Sequence, residues 1–305
     1  KKVPPYPMPK LQRFLDTLKH IFKRSDTMRS AERYTTGLLT DIPYKNCGMM
    51  SEFMEGTSMQ ALQQFITDSK WDHTELNKER VKFMVENALK GDGAIIFDDT
   101  GFPKDGNCSV GVARQYWGTL GKVGNCQIAV SCQYTDAIYT WPINAKLYLP
   151  EKWTQDEARL KKAKVPEDIT FKTKVQIALD LLDAANAAGV KHSVVVADSF
   201  YGQDPSFLEG LESRKEAYAL CVPSDFNVKF ESDSNEAKPQ LSPPYRVDYL
   251  LGKLSEEQWE TICWRNGSKG PLQKQFAFIR ARWATRAKVG NKGFVIFERP
   301  VPGDD

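Results

Sequence analysis

The sequence predicts an α/β (α+β) protein, with a mixed sheet between a helical N-terminal domain and a β-rich C-terminal segment. Three observations carry this expectation. Apolar residues recur at helical spacing through about residues 10–90. From Gly91 onward, short apolar runs bounded by turn residues replace that spacing. These runs come first in close succession and then alternate with helical stretches, which is the order of a meander followed by βαβ-like crossovers.

In the N-terminal region Leu11, Leu15, Leu18 and Phe22 fall on one helix face, as do Ala61 with Phe65, and Val81, Met84, Val85 and Leu89. Pro43 and Gly56 divide the region into short helices, and Thr57 or Ser58 is placed to cap the helix that carries Met59 to Ile66. Ala94 to Phe97 reads as a buried strand that ends in a turn at Asp98-Asp99-Thr100-Gly101. Strand patterns follow at about 110–117, 126–134 and 138–148. A helical pattern over 171–188 stops at Gly189, and Ser193 to Ala197 is a second buried strand ending on Asp198. A helix from about Pro205 to Arg214 leads to a strand at Ala217 to Val222. RNase H-like folds have this order. Beyond it lie a polar, Pro-rich stretch, one amphipathic helix near 246–262, and strands at 273–284 and 293–299. The domains read as 1–90 (helical), 91–223 (RNase H-like core, in part) and 224–305 (a subdomain of helix and strands).

Bulk properties exclude several classes. The chain has 305 residues, 41% hydrophobic and 27% charged, and no apolar run approaches the ~20 residues of a membrane span. It starts Lys-Lys-Val-Pro-Pro, without Met or an apolar signal core, so a cytoplasmic, nucleoid-associated protein with trimmed ends is expected. Six cysteines form no Cys-x-x-Cys pair, and three histidines are scattered, so any catalytic metal is expected on oxygen ligands. Residues 1–50 carry ten Lys/Arg against four Asp/Glu, and 265–299 nine against one. Two basic ends suit a polyanion, although solvated surface charge fits the same numbers. The N-terminal helices read equally as a DNA-binding domain or a plain bundle.

The chemistry sits at the strand ends. Two buried strands each deliver a carboxylate, Asp98 and Asp198, onto rigid backbone. Such a pair can hold divalent ions that stabilise the attacking and leaving oxygens at phosphorus, and hard oxygen ligands select Mg²⁺, with Mn²⁺ as a substitute. Either Asp alone also fits a turn or an N-cap. An aspartyl-nucleophile phosphatase would need a second Asp two positions after the first, where this chain has Thr100. Strand alternation turns Asp99 away from Asp98, leaving it to brace the following turn. Lys104, Arg114, Lys122, Lys172, Lys174 and Tyr201 are the candidate DNA contacts, with Tyr116 and Trp117 nearby.

Several blocks carry a family likeness. Ile95 to Phe102, Ser109 to Tyr116, Gly124 to Gln127, Leu147 to Pro150 with Trp153, Phe171 to Lys174, and Val196 to Gly202 resemble, in order, the DDE-superfamily transposases of the insertion sequence 701 group. The resemblance implies that Asp98 and Asp198 are the first and second acids of the DDE set. It also implies two divalent ions activating water or a DNA 3′-hydroxyl against phosphodiesters at transposon ends. Double-stranded DNA would be the partner and no membrane would be involved; a homodimer on DNA is left open. The third acid of the family, a Glu on a Trp-x-x-Glu-like helix, has no counterpart here, and Glu298 lies in a strand-like run. Two readings stay open: an incomplete transposase, or a transposase-derived DNA-binding regulator that does not cut.

Overall fold

The computed structural model describes residues 7–87, 92–118, 121–231, 241–267 and 270–302. The chain forms two compact units, Lys1–Gly91 with Ala184–Lys191, and Asp92–Asp183 with His192–Asp305.

The described part of the first unit holds α1 (Pro9–Thr17), α2 (Ser25–Leu39), α3 (Cys47–Phe53), α4 (Met59–Thr67) and α5 (His73–Asn87). The apolar run that opens at Leu11 outlasts α1 and continues through a 3-10 turn at Lys19–Ile21. Leu15, Leu18, Ile21 and Phe22 thereby reach one core with Met28, Ala31 and Phe65. A smaller cluster joins Ile42, Met50, Met54 and Leu62. Of the two cap candidates before α4 it is Ser58 that caps, its Oγ accepting from the Ala61 N–H at 3.2 Å. Leu89, expected on the buried face of α5, lies outside the described residues.

In the second unit β1 (Ala94–Pro103), β2 (Ala113–Trp117), β3 (Lys122–Thr135) and β4 (Thr140–Tyr148) come first. Two short helices follow, α6 (Glu151–Thr154) and α7 (Glu157–Lys162), then α8 (Lys174–Ala187). Next come β5 (Val194–Ala197), α9 (Ser199–Gly202), α10 (Pro205–Ser213) and β6 (Tyr218–Leu220). β3 is antiparallel to β1 on one side and to β2 and β4 on the other, while β1, β5 and β6 run parallel. The order β4-β3-β1-β5-β6 is that of an RNase H-like core.

One face of this sheet is the core. Cys126, Ile128, Val130, Cys132 and Tyr134 alternate along β3, all buried, beside Ile95 and Phe97 of β1 and Val195 and Ala197 of β5. Phe207 of α10 meets Phe97 edge-on, with ring centroids 6.0 Å apart. Gly210 lets α10 close on α8, since a Cβ there would come within 2.5 Å of the Leu179 side chain.

Two expectations are corrected. β1 does not turn at Asp98: it continues to Pro103, because the fourteen-residue β3 supplies a ladder partner all the way, Asp98 opposite Ser131 and Pro103 opposite Cys126. The amphipathic helix expected near 246–262 shrinks to five residues. The chain forms β7 (Asn227–Lys229), β8 (Tyr245–Arg246), α11 (Val247–Leu251) and then β9 (Glu260–Gly267). Thr261, Ile262, Cys263 and Trp264 favour strand, and β9 pairs with β10 (Gly270–Trp283). β10 also pairs with β7 and with β11 (Gly293–Arg299), giving a second sheet over Val228, Val247, Leu250, Ala277, Ala281 and Phe297.

Two substitutions test this packing. At Gly202 an added Cβ would lie 2.0 Å from the Cys221 carbonyl oxygen, backbone against backbone, so Gly202→Ala is expected to cost roughly 2 kcal/mol or more in urea unfolding. Phe207→Ala, which opens a cavity between α10 and β1, should cost about 3–5 kcal/mol in the same assay.

Candidate metal centre at the strand ends

β1 and β5 pair in register from Ala94/Val194 to Phe97/Ala197, and there the pairing stops. β1 runs on against β3, while β5 turns into α9. The next residues, Asp98 and Asp198, therefore stand side by side where the parallel ladder ends, on strands ~4.8 Å apart. Both are exposed.

Each carboxylate is oriented by backbone through one oxygen. Asp98 Oδ1 accepts from the Asp99 N–H at 2.8 Å, and the Ser131 hydroxyl donates to the Asp98 carbonyl at 3.0 Å. Asp198 is the N-cap of α9, its Oδ1 accepting from the Phe200 N–H at 3.0 Å and the Tyr201 N–H at 3.4 Å. Among the described residues neither Oδ2 has a protein partner. Two carboxylates, each with an oxygen uncommitted and open to water, are a donor set that fits a hard divalent cation such as Mg²⁺ or Mn²⁺.

Asp99 faces the other way, onto the core side of the sheet, as alternation requires. It braces no turn, since β1 continues past it. Its Oδ1 accepts from the Tyr201 hydroxyl at 2.6 Å, and its Oδ2 is ion-paired with Lys174 Nζ. Tyr201 is 1% exposed, and the Asp99 and Lys174 side chains 24% and 16%. Lys174 Nζ also lies 4.8 Å from the Phe200 ring centroid and 5.8 Å from that of Tyr148. Burial, then the Asp99 charge and hydrogen bond, then the charges of Asp198 and Asp98 push the Tyr201 phenol far above its ordinary value. One phenol thus feels all three acids.

The DNA contacts read from Lys174 and Tyr201 are corrected accordingly. Their polar ends are turned inward onto Asp99, and Tyr201 has almost no surface to offer. Lys172 is ion-paired with Asp180, but both side chains are about two-fifths exposed, and such a pair holds weakly enough to open. Arg114 and Lys122 are exposed and Lys104 half-buried. Arg114 is opposite Asn125, one residue beyond the Pro103/Cys126 pair. That places it on the same sheet face as Asp98, ~20 Å along the strand direction. The Trp117 side chain lies outside the described residues.

Among the described residues, the group of three His, Cys, Asp or Glu donors with ligand atoms within 4.8 Å of one another is His20, Glu75 and Glu79, in the first unit. Among the described residues no third donor, Asp99 included, joins Asp98 and Asp198 at that spacing. Two of these three, Glu75 and Glu79, are one helical turn apart in the sequence; the approach of His20 depends on tertiary packing. Glu298 is ion-paired with Lys274 across β10 and β11. All six cysteines are free thiols.

The strand order, with acids where the pairing of its two central parallel strands stops, defines an RNase H-like class of protein. Residues 17–271 match the family described as DDE superfamily endonuclease, and the chain belongs to that family. Over 233 residues it is 27% identical to the "Probable transposase for insertion sequence element IS701" of Microchaete diplosiphon, a match covering 74% of this chain and 58% of that protein. The chain therefore spans a little over half the length of that relative, and the resemblance read from its motifs stands. Among solved structures, the Drosophila P element transposase strand transfer complex aligns with 66% of this chain and 42% of its own at 12% identity and a TM-score of 0.29. The Mos1 transposase paired-end complex with left transposon end aligns with 64% and 58% at 15% identity and a TM-score of 0.22. No helix among the described residues is long and apolar enough to cross a membrane.

The thiols provide a check on this geometry. Burial pushes Cys132 up to about 12 and raises Cys126, so both stay protonated at pH 8 as well as shielded. A disulfide reagent at pH 8 should modify exposed Cys108, Cys221 and Cys263 in the native protein, and Cys126 and Cys132 only after unfolding.

Proposed function

We propose that this chain carries the metal-binding acids of an insertion-sequence transposase that cuts and joins DNA by phosphoryl transfer. The observation that carries the reading is the pair of uncommitted carboxylate oxygens of Asp98 and Asp198, adjacent where the parallel β1/β5 ladder ends, in a member of the DDE superfamily endonuclease family. A bound Mg²⁺ or Mn²⁺ would supply Lewis-acid activation of water or a DNA 3′-hydroxyl and stabilise the leaving oxygen. The chain's own residues do the rest. Asp98 and Asp198 hold the ion, and the α9 cap and Ser131 keep those acids in place. Arg114 and Lys122, with Lys104 and an opened Lys172, take backbone phosphates. At ~3.4 Å per nucleotide, the ~20 Å along the strand direction between Asp98 and Arg114 corresponds to about six nucleotides of one strand. The helical first unit, with its basic excess, is assigned to recognition of the transposon end.

A second reading, a DNA-binding regulator that does not cut, draws on the absence of a third donor beside Asp98 and Asp198 among the described residues. Mn²⁺ binding followed by electron paramagnetic resonance, alongside Mn²⁺-dependent cleavage of end-containing DNA, separates the two. Asp98→Asn and Asp198→Asn should each abolish both signals on the transposase reading. Mn²⁺ binding unchanged in both variants sinks it, and end binding without cleavage favours the regulator. Arg114→Ala should weaken DNA binding evenly across sequences and reduce the slope of log K against log salt by about one.

A further inference from the structure

Asp99, Lys174 and Tyr201 come from three elements, β1, the first turn of α8 and α9, and meet on the core side of the sheet. Both oxygens of Asp99 are committed there, one to the Tyr201 hydroxyl and one to the Lys174 ammonium. Asp99 and Tyr201 are each tied to one of the exposed acids. The Asp99 N–H donates to Asp98 Oδ1, and the Tyr201 N–H donates to Asp198 Oδ1. A continuous path of hydrogen bonds therefore runs from Asp98 through Asp99 and Tyr201 to Asp198.

We propose that Asp99, Tyr201 and Lys174 form an internal brace that sets the separation and orientation of Asp98 and Asp198, and so the affinity of the site for a divalent cation. The inference rests on the reading of Asp98 and Asp198 as the metal-holding pair. In it Asp99 and Tyr201 are positioning residues and not ligands. Asp99 turns to the opposite face from Asp98, has no uncommitted oxygen, and does not share the 4.8 Å spacing of a three-donor group with the two acids. Lys174 pairs its ammonium with the part-buried Asp99 carboxylate. The two aromatic rings beside its ammonium hold that cation where it is. Partners that orient metal ligands act on affinity rather than on fold, typically by ten- to a hundred-fold.

The test is a double-mutant cycle read by Mn²⁺ affinity of the whole chain. Tyr201→Phe deletes one hydroxyl from a packed ring, and Asp99→Asn keeps an acceptor for that hydroxyl but drops the ion pair. Near-ultraviolet circular dichroism verifies that each variant is folded. Each substitution is expected to weaken Mn²⁺ binding about ten-fold, and the double variant no further, because each breaks one link of the same brace, the Tyr201 hydroxyl bond or the Lys174 ion pair. A merely structural role would lower the melting temperature and leave the Mn²⁺ affinity of the folded protein untouched. Wild-type affinity in Tyr201→Phe overturns the brace, as do additive losses in the double variant. So does abolition of binding by Asp99→Asn with Asp98→Asn unaffected, which would make Asp99 the ligand. If instead Asp98→Asn and Asp198→Asn both bind Mn²⁺ like the wild type, the reading of the metal pair has failed, and the brace with it.

Discussion

The second unit is organised around an inequality: β1 has one long neighbour and one short one. β3 pairs with it over ten residues, β5 over four. Where β5 leaves, β1 keeps its backbone fixed by β3 while its other edge opens. A carboxylate at that step has rigid backbone and free access to water. Burying a charged acid without partners costs several kcal/mol, and placing it on a loop would forfeit its position. The step avoids both. α9 begins at the same step, which is why Asp198 serves as an N-cap and points its remaining oxygen outward.

The same step creates a difficulty, because two acids in a row on a strand must face opposite sides. Asp98 meets water, but Asp99 is directed toward the core. An ionised carboxylate there needs a cation and hydrogen bonds. Lys174 and Tyr201 provide them, at the cost of setting a lysine in the first turn of α8, where the helix dipole disfavours positive charge. Buried pairs of this kind add little net stability over apolar packing, and their use is to fix geometry. Here they tie β1, α8 and α9 together beside the exposed acids.

Much of the second unit was legible because strand and helix periods differ. β5, α8, α10, β10 and β11 lie within a few residues of the pattern-based spans, and Gly189 ends the α8 segment with a positive φ of 78°. The failures have physical causes. Asp-Asp-Thr-Gly reads as a turn from local propensity, but a long antiparallel partner overrides it. Residues 246–262 carry enough apolar spacing for a helix, but Thr261 to Trp264 are drawn into a ladder with β10. Lys174 and Tyr201 looked like DNA contacts because residue type signals charge and stacking, whereas their direction is set by Asp99, 75 and 102 residues away in sequence. The placement of Asp98 and Asp198 beside one another was legible, since each follows a buried apolar run.

Charge gives the order in which such a site would fill. Three aspartates lie near one phenol, and a single lysine among them is committed to Asp99. The step at Asp98 and Asp198 is left negative, and a DNA phosphate brought to it alone would be repelled. Arg114, exposed on the same sheet face but ~20 Å along the strand direction, can hold a strand without cancelling the repulsion at the acids, since screening in physiological salt extends only ~8 Å. A divalent cation held there, as proposed, would offset the charges of the exposed pair and let the step accept a phosphate. On the proposed reading the metal is then required for productive docking of DNA at the acids as well as for the chemistry, while the basic residues farther along the sheet engage the backbone with or without it.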